Sequence, residues 1–244
     1  MASPRSSTLF HFTKSLLNLQ NILEKGFIPY YSLEDASWLG AKLKYFACSM
    51  VCFCDIPISR IQDHVGFYGS YGMGMSKDWA LKNGINPVAY YSNVSPLSKN
   101  FLTAFRATFD IKEGDPDKKI RYTFYDLLSY AKPIAGTMIV SDNPVNKEFY
   151  LENEWRYVKI PETRKLITRK IYDDPSERSE LIKQAEAEPL KFTPSDIRYI
   201  FVKTDADIPP IINFMNEKLQ SYSAVDLKIL TSRVTSLEYL EKDI

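Results

Sequence analysis

An α+β domain, with a mainly antiparallel, split or mixed sheet and surrounding helices, is the fold class this sequence predicts. Segments with strand and helix patterns follow one another without the regular βαβ alternation of a doubly wound sheet. The 244 residues, 45% hydrophobic and 25% charged, are enough to bury a sizeable core. No Pro/Gly/Ser-rich linker divides them, so residues 8–244 read as a single domain behind a flexible N-terminal tail, residues 1–7.

Leu9–Phe12 has the pattern of a short strand. Thr13 can cap a helix running to Lys25, in which Leu16, Leu19, Ile22 and Leu23 form one apolar stripe and which Gly26 ends. A tyrosine-rich segment (IPYYSLED) and a weaker helix around Ala36–Leu43 lead into Tyr45–Ile56, whose near-continuous apolarity suits a strand buried on both faces. Pro57 terminates it. Ile58, Ile61 and Val65 recur at helical spacing before Gly66, Gly69, Gly72 and Gly74, and a short helix near Lys77–Lys82 stops at Gly84. Strand Pro87–Ser92 follows.

Pro96 opens a helix with Leu97, Phe101, Leu102 and Phe105 on one side. A polar loop, Asp110–Lys119, separates it from a helix around Tyr122–Tyr130. Pro133–Val140 and Glu148–Ile160 read as strands joined by a turn-rich linker (SDNPVNKE), an arrangement suited to an antiparallel hairpin. Arg169–Lys191 is rich in charge, as a solvated surface helix would be. Strand Arg198–Lys203, a helix Pro209–Leu219, strand Leu227–Thr231 and a closing helix complete the chain.

Charge excludes some functions. Thirty-one Lys+Arg against 30 Asp+Glu leave +1, so no global field steers the protein to nucleic acid or to an anionic membrane. Basic residues are dispersed, with Arg164, Lys165, Arg169 and Lys170 the one local cluster. The three cysteines, Cys48, Cys52 and Cys54, crowd one apolar run, a poor disulfide framework that fits a reducing compartment. The polar start (MASPRSS) lacks a secretion signal, and the uncharged run Tyr45–Cys54 falls short of the ~18 apolar residues a membrane span needs. The expected location is the cytoplasm, with no membrane partner.

With only 2 His, histidine chemistry is confined to His11 or His64. His11, in F-H-F-T, points opposite to its two phenylalanines, so it either serves a site or sits satisfied at a strand edge. In Phe149–Arg156 (FYLENEWR), Glu152, Glu154 and Arg156 fall on one face of a strand. Neighbouring carboxylates raise one another's pKa and an arginine relieves that cost; such a row can hold a ribose hydroxyl, stabilise a developing cation or form a solvent-facing ladder. Asp55, at the end of the apolar strand, needs a partner or a site edge, or caps a turn. Tyr30 and Tyr31 can stack on a flat ring or simply pack. The glycines of YGSYGMGM fit neither G-x-G-x-x-G nor a P-loop and point to close backbone approach. Cys48, Cys52, Cys54 and His64 lack paired C-x-x-C knuckles, so no metal is expected.

Read together, HFTKS, NLQNILEKGF, MVCFCDIPIS, YGSYGMGMSKDW, NPVAYY and FYLENEWRYV resemble the AbiGi group of bacterial abortive-infection proteins, which are encoded beside a partner gene. The likeness runs from about Leu9 to Lys159. Members carry the name antitoxin. More distantly, the opening H-x-T, the helix N-L-x-x-I-L-x-x-G and a late glutamate look like DarT-type ADP-ribosyltransferases. That resemblance implies an ADP-ribosyltransferase-like split sheet with NAD, as substrate, in its cleft. His11 and Thr13 would then hold the dinucleotide, Phe53 or Tyr30/Tyr31 would flank the nicotinamide, and Glu154, or Glu152, would be the catalytic glutamate. Arg156 would pair with Glu152 or contact a phosphate, or instead neutralise Glu154 in a structural ion pair that leaves a fold without an activity. The implied chemistry is cleavage of the glycosidic bond to nicotinamide through an oxocarbenium-like centre, with nucleic acid or protein as acceptor. The competing expectation is a non-catalytic module that binds its operon-encoded partner through Tyr30, Tyr31, Phe67, Tyr68 and Tyr71.

Overall fold

A computed structural model describes residues 6–39, 43–112, 114–140, 143–159 and 166–242. In chain order, β1 (Thr8–Thr13) leads to α1 (Leu16–Lys25), and β2 (Tyr30–Asp35) to β3 (Tyr45–Cys54). Next come α2 (Gln62–Tyr68), β4 (Tyr71–Ser76), α3 (Lys77–Lys82), β5 (Asn86–Pro87) and β6 (Ala89–Tyr91). Two helices, α4 (Pro96–Ala107) and α5 (Lys118–Leu128), precede β7 (Ala131–Pro133), β8 (Ala135–Val140), β9 (Asn143–Glu148) and β10 (Glu154–Lys159). The rest is β11 (Ile167–Thr168), α6 (Arg169–Asp173), α7 (Pro175–Ala187), β12 (Ile197–Val202), α8 (Ile208–Lys218), α9 (Ala224–Thr231), β13 (Val234–Ser236) and α10 (Leu237–Leu240). Mixed α and β with mainly antiparallel pairing is the expected class.

The residues form two compact units: Met1–Ile28, Cys52–Ile85 and Pro189–Ile244 make the first, Pro29–Val51 and Asn86–Glu188 the second. In the first unit, β1 pairs antiparallel with β4 from Thr8↔Ser76 to Thr13↔Tyr71, and with the end of β3 at Phe10↔Cys54. β4 pairs antiparallel with β12, which runs parallel to β13. One face buries Phe10, Phe12, Cys54, Ile61, Val65 and Phe201. The glycines serve close approach: a Cβ on Gly72 would lie 2.6 Å from the His11 carbonyl oxygen. At Gly69 (φ +122°) it would lie 2.3 Å from the Thr13 carbonyl oxygen.

In the second unit, β2 pairs antiparallel with β3 from Tyr30↔Met50 to Asp35↔Tyr45, and β11 also pairs with β3. β10 pairs with β5 through Trp155↔Pro87 and Arg156↔Asn86, β6 runs parallel to β7, and β8 pairs antiparallel with β9. Phe46, Cys48 and Met50 from β3 pack with Phe105 of α4 and Phe124 and Leu128 of α5. The i, i+4 step from 124 to 128 sets one apolar face of α5 inward.

Several elements depart from the sequence reading. Ser15, not Thr13, caps α1, its side chain accepting from the Asn18 N–H. Pro87–Ser92 is two short strands, each with its own partner. Tyr30–Asp35 is a strand whose pattern is too polar to announce it. The segment from Glu148 is interrupted: a 3-10 turn, Phe149–Glu152, ends at Asn153 in the left-handed region (φ 43°), and β10 starts afresh at Glu154. The hairpin partner of Ala135–Val140 is therefore Asn143–Glu148, within the expected linker. Leu227–Thr231 is helical because Ser223 caps α9 by accepting from the Asp226 N–H, a local bond that overrides β-compatible side chains. Ile160, Arg164, Lys165 and residues 40–42, which those readings included, lie outside the described residues. Among the described residues, no helix is long and apolar enough to cross a membrane.

Candidate functional site

The second unit holds a buried cluster of charge. β10 places Glu154 and Arg156 two residues apart, so their side chains leave the same face of the strand. Arg156 is 0% exposed and all three guanidinium nitrogens are engaged. Nε donates to Glu154 Oε1 at 2.7 Å, Nη1 to the Ser129 carbonyl at 2.7 Å, and Nη2 to Glu34 Oε2 at 2.8 Å. Lys132, on β7, donates from Nζ to Glu154 Oε2 at 2.8 Å and lies 3.5 Å from Glu152 Oε2. Lys147 closes the row at 2.6 Å from Glu152 Oε1. The Glu154 backbone N–H donates to Tyr90 Oη at 2.9 Å. Among the described residues, three carboxylates meet three cations there.

Burial alone would raise the Glu154 carboxyl, but Arg156 and Lys132 outweigh it and hold Glu154 well below the usual carboxylate range. Lys132 behaves in mirror image: burial would lower it, yet the charges of Glu154 and Glu34 raise it. Burial also raises Tyr90, and it pushes the neighbouring Cys48 thiol up to about 12, leaving that cysteine an inert thiol. The cluster is ionised and fixed. Glu154 offers no carboxylate oxygen that lacks a cationic partner, and its relative exposure is 5%.

His11 sits in the first unit. Its Nδ1 is 2.8 Å from the Cys52 carbonyl, which can only accept, so Nδ1 carries the proton. The ring packs on Phe27 (centroids 5.1 Å apart) and Phe53 (5.7 Å), inside an aromatic group completed by Trp79 and Phe192. Burial lowers the His11 pKa below its ordinary value. A depressed pKa means that as pH falls below about 6.5 the unfolded chain takes up a proton the folded ring refuses, so stability is lost in that direction. His11→Asn keeps an amide N–H for the Cys52 carbonyl and removes the titration. Its stability, followed by urea unfolding between pH 7 and 5, is expected to fall less steeply than that of the wild type; equal slopes would contradict this.

The other candidates divide between the two units. Thr13 Oγ1 accepts from Asn18 Nδ2 at 3.0 Å, a local bond beside the start of α1. Phe53 is a buried member of the aromatic group. Tyr30 is 52% exposed, whereas Tyr31 packs half-buried against Ala47, Ile167 and Leu181, which raises its pKa. Phe67, Tyr68 and Tyr71, the other candidate anchors, are half-buried, Tyr71 donating to Asp207 at 3.3 Å. Asp55 is paired with Lys77 at 2.7 Å. Among the described residues, no group of three His, Cys, Asp or Glu side chains could hold a metal ion.

Glu152, Glu154 and Arg156 are brought together, though not as a solvent-facing ladder: Glu152 arrives from the 3-10 turn, and all three are buried. Lys132, Glu34, Lys147 and Tyr90 escaped the sequence reading. One signal was present for Lys132, a lone cation within the apolar stretch YAKPIAG, where a buried partner is required.

The comparisons with known proteins agree with one another. The family model described as "Putative abortive phage resistance protein AbiGi, antitoxin" matches residues 25–203. The abortive phage resistance protein AbiGi of Lactococcus lactis subsp. cremoris is 25% identical over 246 residues, an alignment spanning 89% of this chain and 99% of that protein. No solved structure matches. With well over half of its residues matched to the family's model, the chain belongs to the AbiGi family of abortive phage resistance proteins.

Proposed function

We propose that this protein works in phage defence as an antitoxin, a cytoplasmic protein that binds and restrains the product of a partner gene encoded beside it. The observation that carries this reading is the state of Glu154. A glutamate that orients a ribose must offer it a carboxylate oxygen, and here both oxygens are held by Arg156 and Lys132 inside the fold. The cluster then acts as a structural ion network, and function passes to the surface. The word antitoxin in the family's description supports the same conclusion.

A second reading has one observation in its favour. Lys132, Glu152, Glu154 and Arg156 are buried charges, which incur a large desolvation cost, and a hydrophobic replacement of such a network is often as stable or more so. Retention of the charges fits a site that uses them. In that reading the fold is ADP-ribosyltransferase-like, and Glu154 or Glu152 exchanges a lysine or arginine partner for the ribose of NAD. His11, Thr13, Phe53, Tyr30, Tyr31 and Arg156 supply contacts, and ADP-ribose passes to nucleic acid or protein.

Co-expression of the chain with its neighbouring gene tests the choice. The antitoxin reading expects relief of the growth defect that the neighbour causes alone, and a co-purifying complex. It expects Glu154→Gln, where folded, to retain both. Relief that disappears with Glu154→Gln while the complex persists would favour the enzyme.

A further inference from the structure

Within the second unit, β8 and β9 bond to each other from Ala135↔Glu148 to Val140↔Asn143 and form a two-stranded sheet of their own. Ala135–Met138 and Val145–Glu148 are all half-buried or exposed. The residues at the base of this hairpin are anchored. Pro133 and Phe149 are buried, the Ile134 N–H donates to the Tyr91 carbonyl at 2.9 Å, and the Tyr150 N–H donates to the Ile134 carbonyl at 3.3 Å. A two-stranded hairpin is marginal by itself in water, and a segment with few buried apolar side chains opens locally, more often than the whole domain unfolds.

The hairpin is held down on the turn that carries Glu152. A Cβ on Gly136 would lie 3.1 Å from the Phe149 ring, so β8 lies against that ring. From β9, Lys147 Nζ reaches Glu152 Oε1 at 2.6 Å. Glu152 is 5% exposed, and Lys132 stands further off, 3.5 Å from Oε2. A carboxylate stays buried only with a close cation, so the contact with Lys147 and the burial of Glu152 depend on each other. Lifting β9 takes away the cation and the cover together. We propose that the β8–β9 hairpin is a cover over Glu152, latched by Lys147 and turning at Ile134 and Glu148, whose open state brings the Glu152 carboxylate to solvent. Glu154, held by Arg156 and Lys132, stays in place as the cover opens. The inference rests on neither reading of function and adds a moving part to the unit that both readings share.

Hydrogen exchange of the purified full chain, read by mass spectrometry, tests it together with labelling of carboxylates by a water-soluble carbodiimide and glycine ethyl ester. The hairpin amides are expected to exchange as a group, at least about 30-fold faster than those between β2 and β3. Lys147→Met should speed hairpin exchange and Glu152 labelling by one common factor of about three- to tenfold, and Lys147→Arg should bring both back toward the wild type. Glu148, which is exposed, should label alike in all variants. Gly69→Ala, which strains the first unit, should leave hairpin exchange unchanged, because the opening is local. Hairpin exchange at the rate of the β2–β3 amides, or hairpin exchange accelerated by Gly69→Ala, would overturn the proposal, since the hairpin would then open only with the whole fold. Unchanged hairpin exchange in Lys147→Met would overturn the latch. Faster hairpin exchange without faster Glu152 labelling would overturn the cover.

Discussion

Arg156→Met is expected to cost about 3–5 kcal/mol of folding stability, the range for removing one member of a buried ion pair. The reason is the charge left behind. Arg156 is wholly buried and bonds to Glu154, Glu34 and the Ser129 carbonyl, so methionine fills much of the volume while taking a cation from both carboxylates, leaving Glu154 with Lys132 alone, and a donor from the Ser129 carbonyl. The double variant Glu154→Leu/Arg156→Met removes one charge of each sign and leaves Lys132 3.5 Å from Glu152 and in the field of Glu34, so it should lose less than the single variant. Urea unfolding at pH 7 measures both. A loss below about 1 kcal/mol for Arg156→Met would place the network outside the stabilising core. The pH dependence follows in sign: because the folded Glu154 pKa is depressed, its contribution is complete above the ordinary carboxylate value of about 4.3 and fades as pH falls below it. Arg156→Met should therefore flatten the acid limb of the stability curve.

Gly69→Ala is expected to destabilise the first unit by about 2–4 kcal/mol, from two sources that add. Its φ of +122° lies in a region L-residues rarely occupy, and an added Cβ would sit 2.3 Å from the Thr13 carbonyl oxygen and 2.6 Å from Lys14 Cα. Those neighbours are backbone, joined to β1 and unable to rotate away. Gly66, inside α2, provides the contrast: its Cβ meets nothing within 4 Å, so Gly66→Ala should gain about 0.5–1 kcal/mol from helix propensity. Thermal unfolding of the two variants should move in opposite directions. A common direction would contradict the close approach at Gly69.

The elements set by local rules were legible in the sequence. Pro96 opened α4 where a first-turn proline belongs, the short helix expected near Lys77–Lys82 is α3, and the apolar run from Tyr45 became β3. Elements decided by a single turn were not. Asn153 in the left-handed region breaks the strand expected from Glu148, and that polar residue carries no periodicity to announce it. The same division holds for the cluster. The shared face of Glu154 and Arg156 follows from alternation along a strand, but the groups that bury and saturate them come from elsewhere: Lys132 is 22 residues before Glu154, and Glu34 is 122 before Arg156. A pattern of alternating charge is the same for a solvated ladder and for a buried network. Long-range pairing decides between them.

The central claim is that Glu154 is a fixed structural anion in a protein that acts by binding. Calorimetric titration of NAD into the purified wild-type chain, followed by assay for released nicotinamide, tests it most directly. The account predicts neither binding heat nor nicotinamide from protein that unfolds cooperatively. Release of nicotinamide that stops in a folded Glu154→Gln variant would contradict it, and would make Glu154 a catalytic residue.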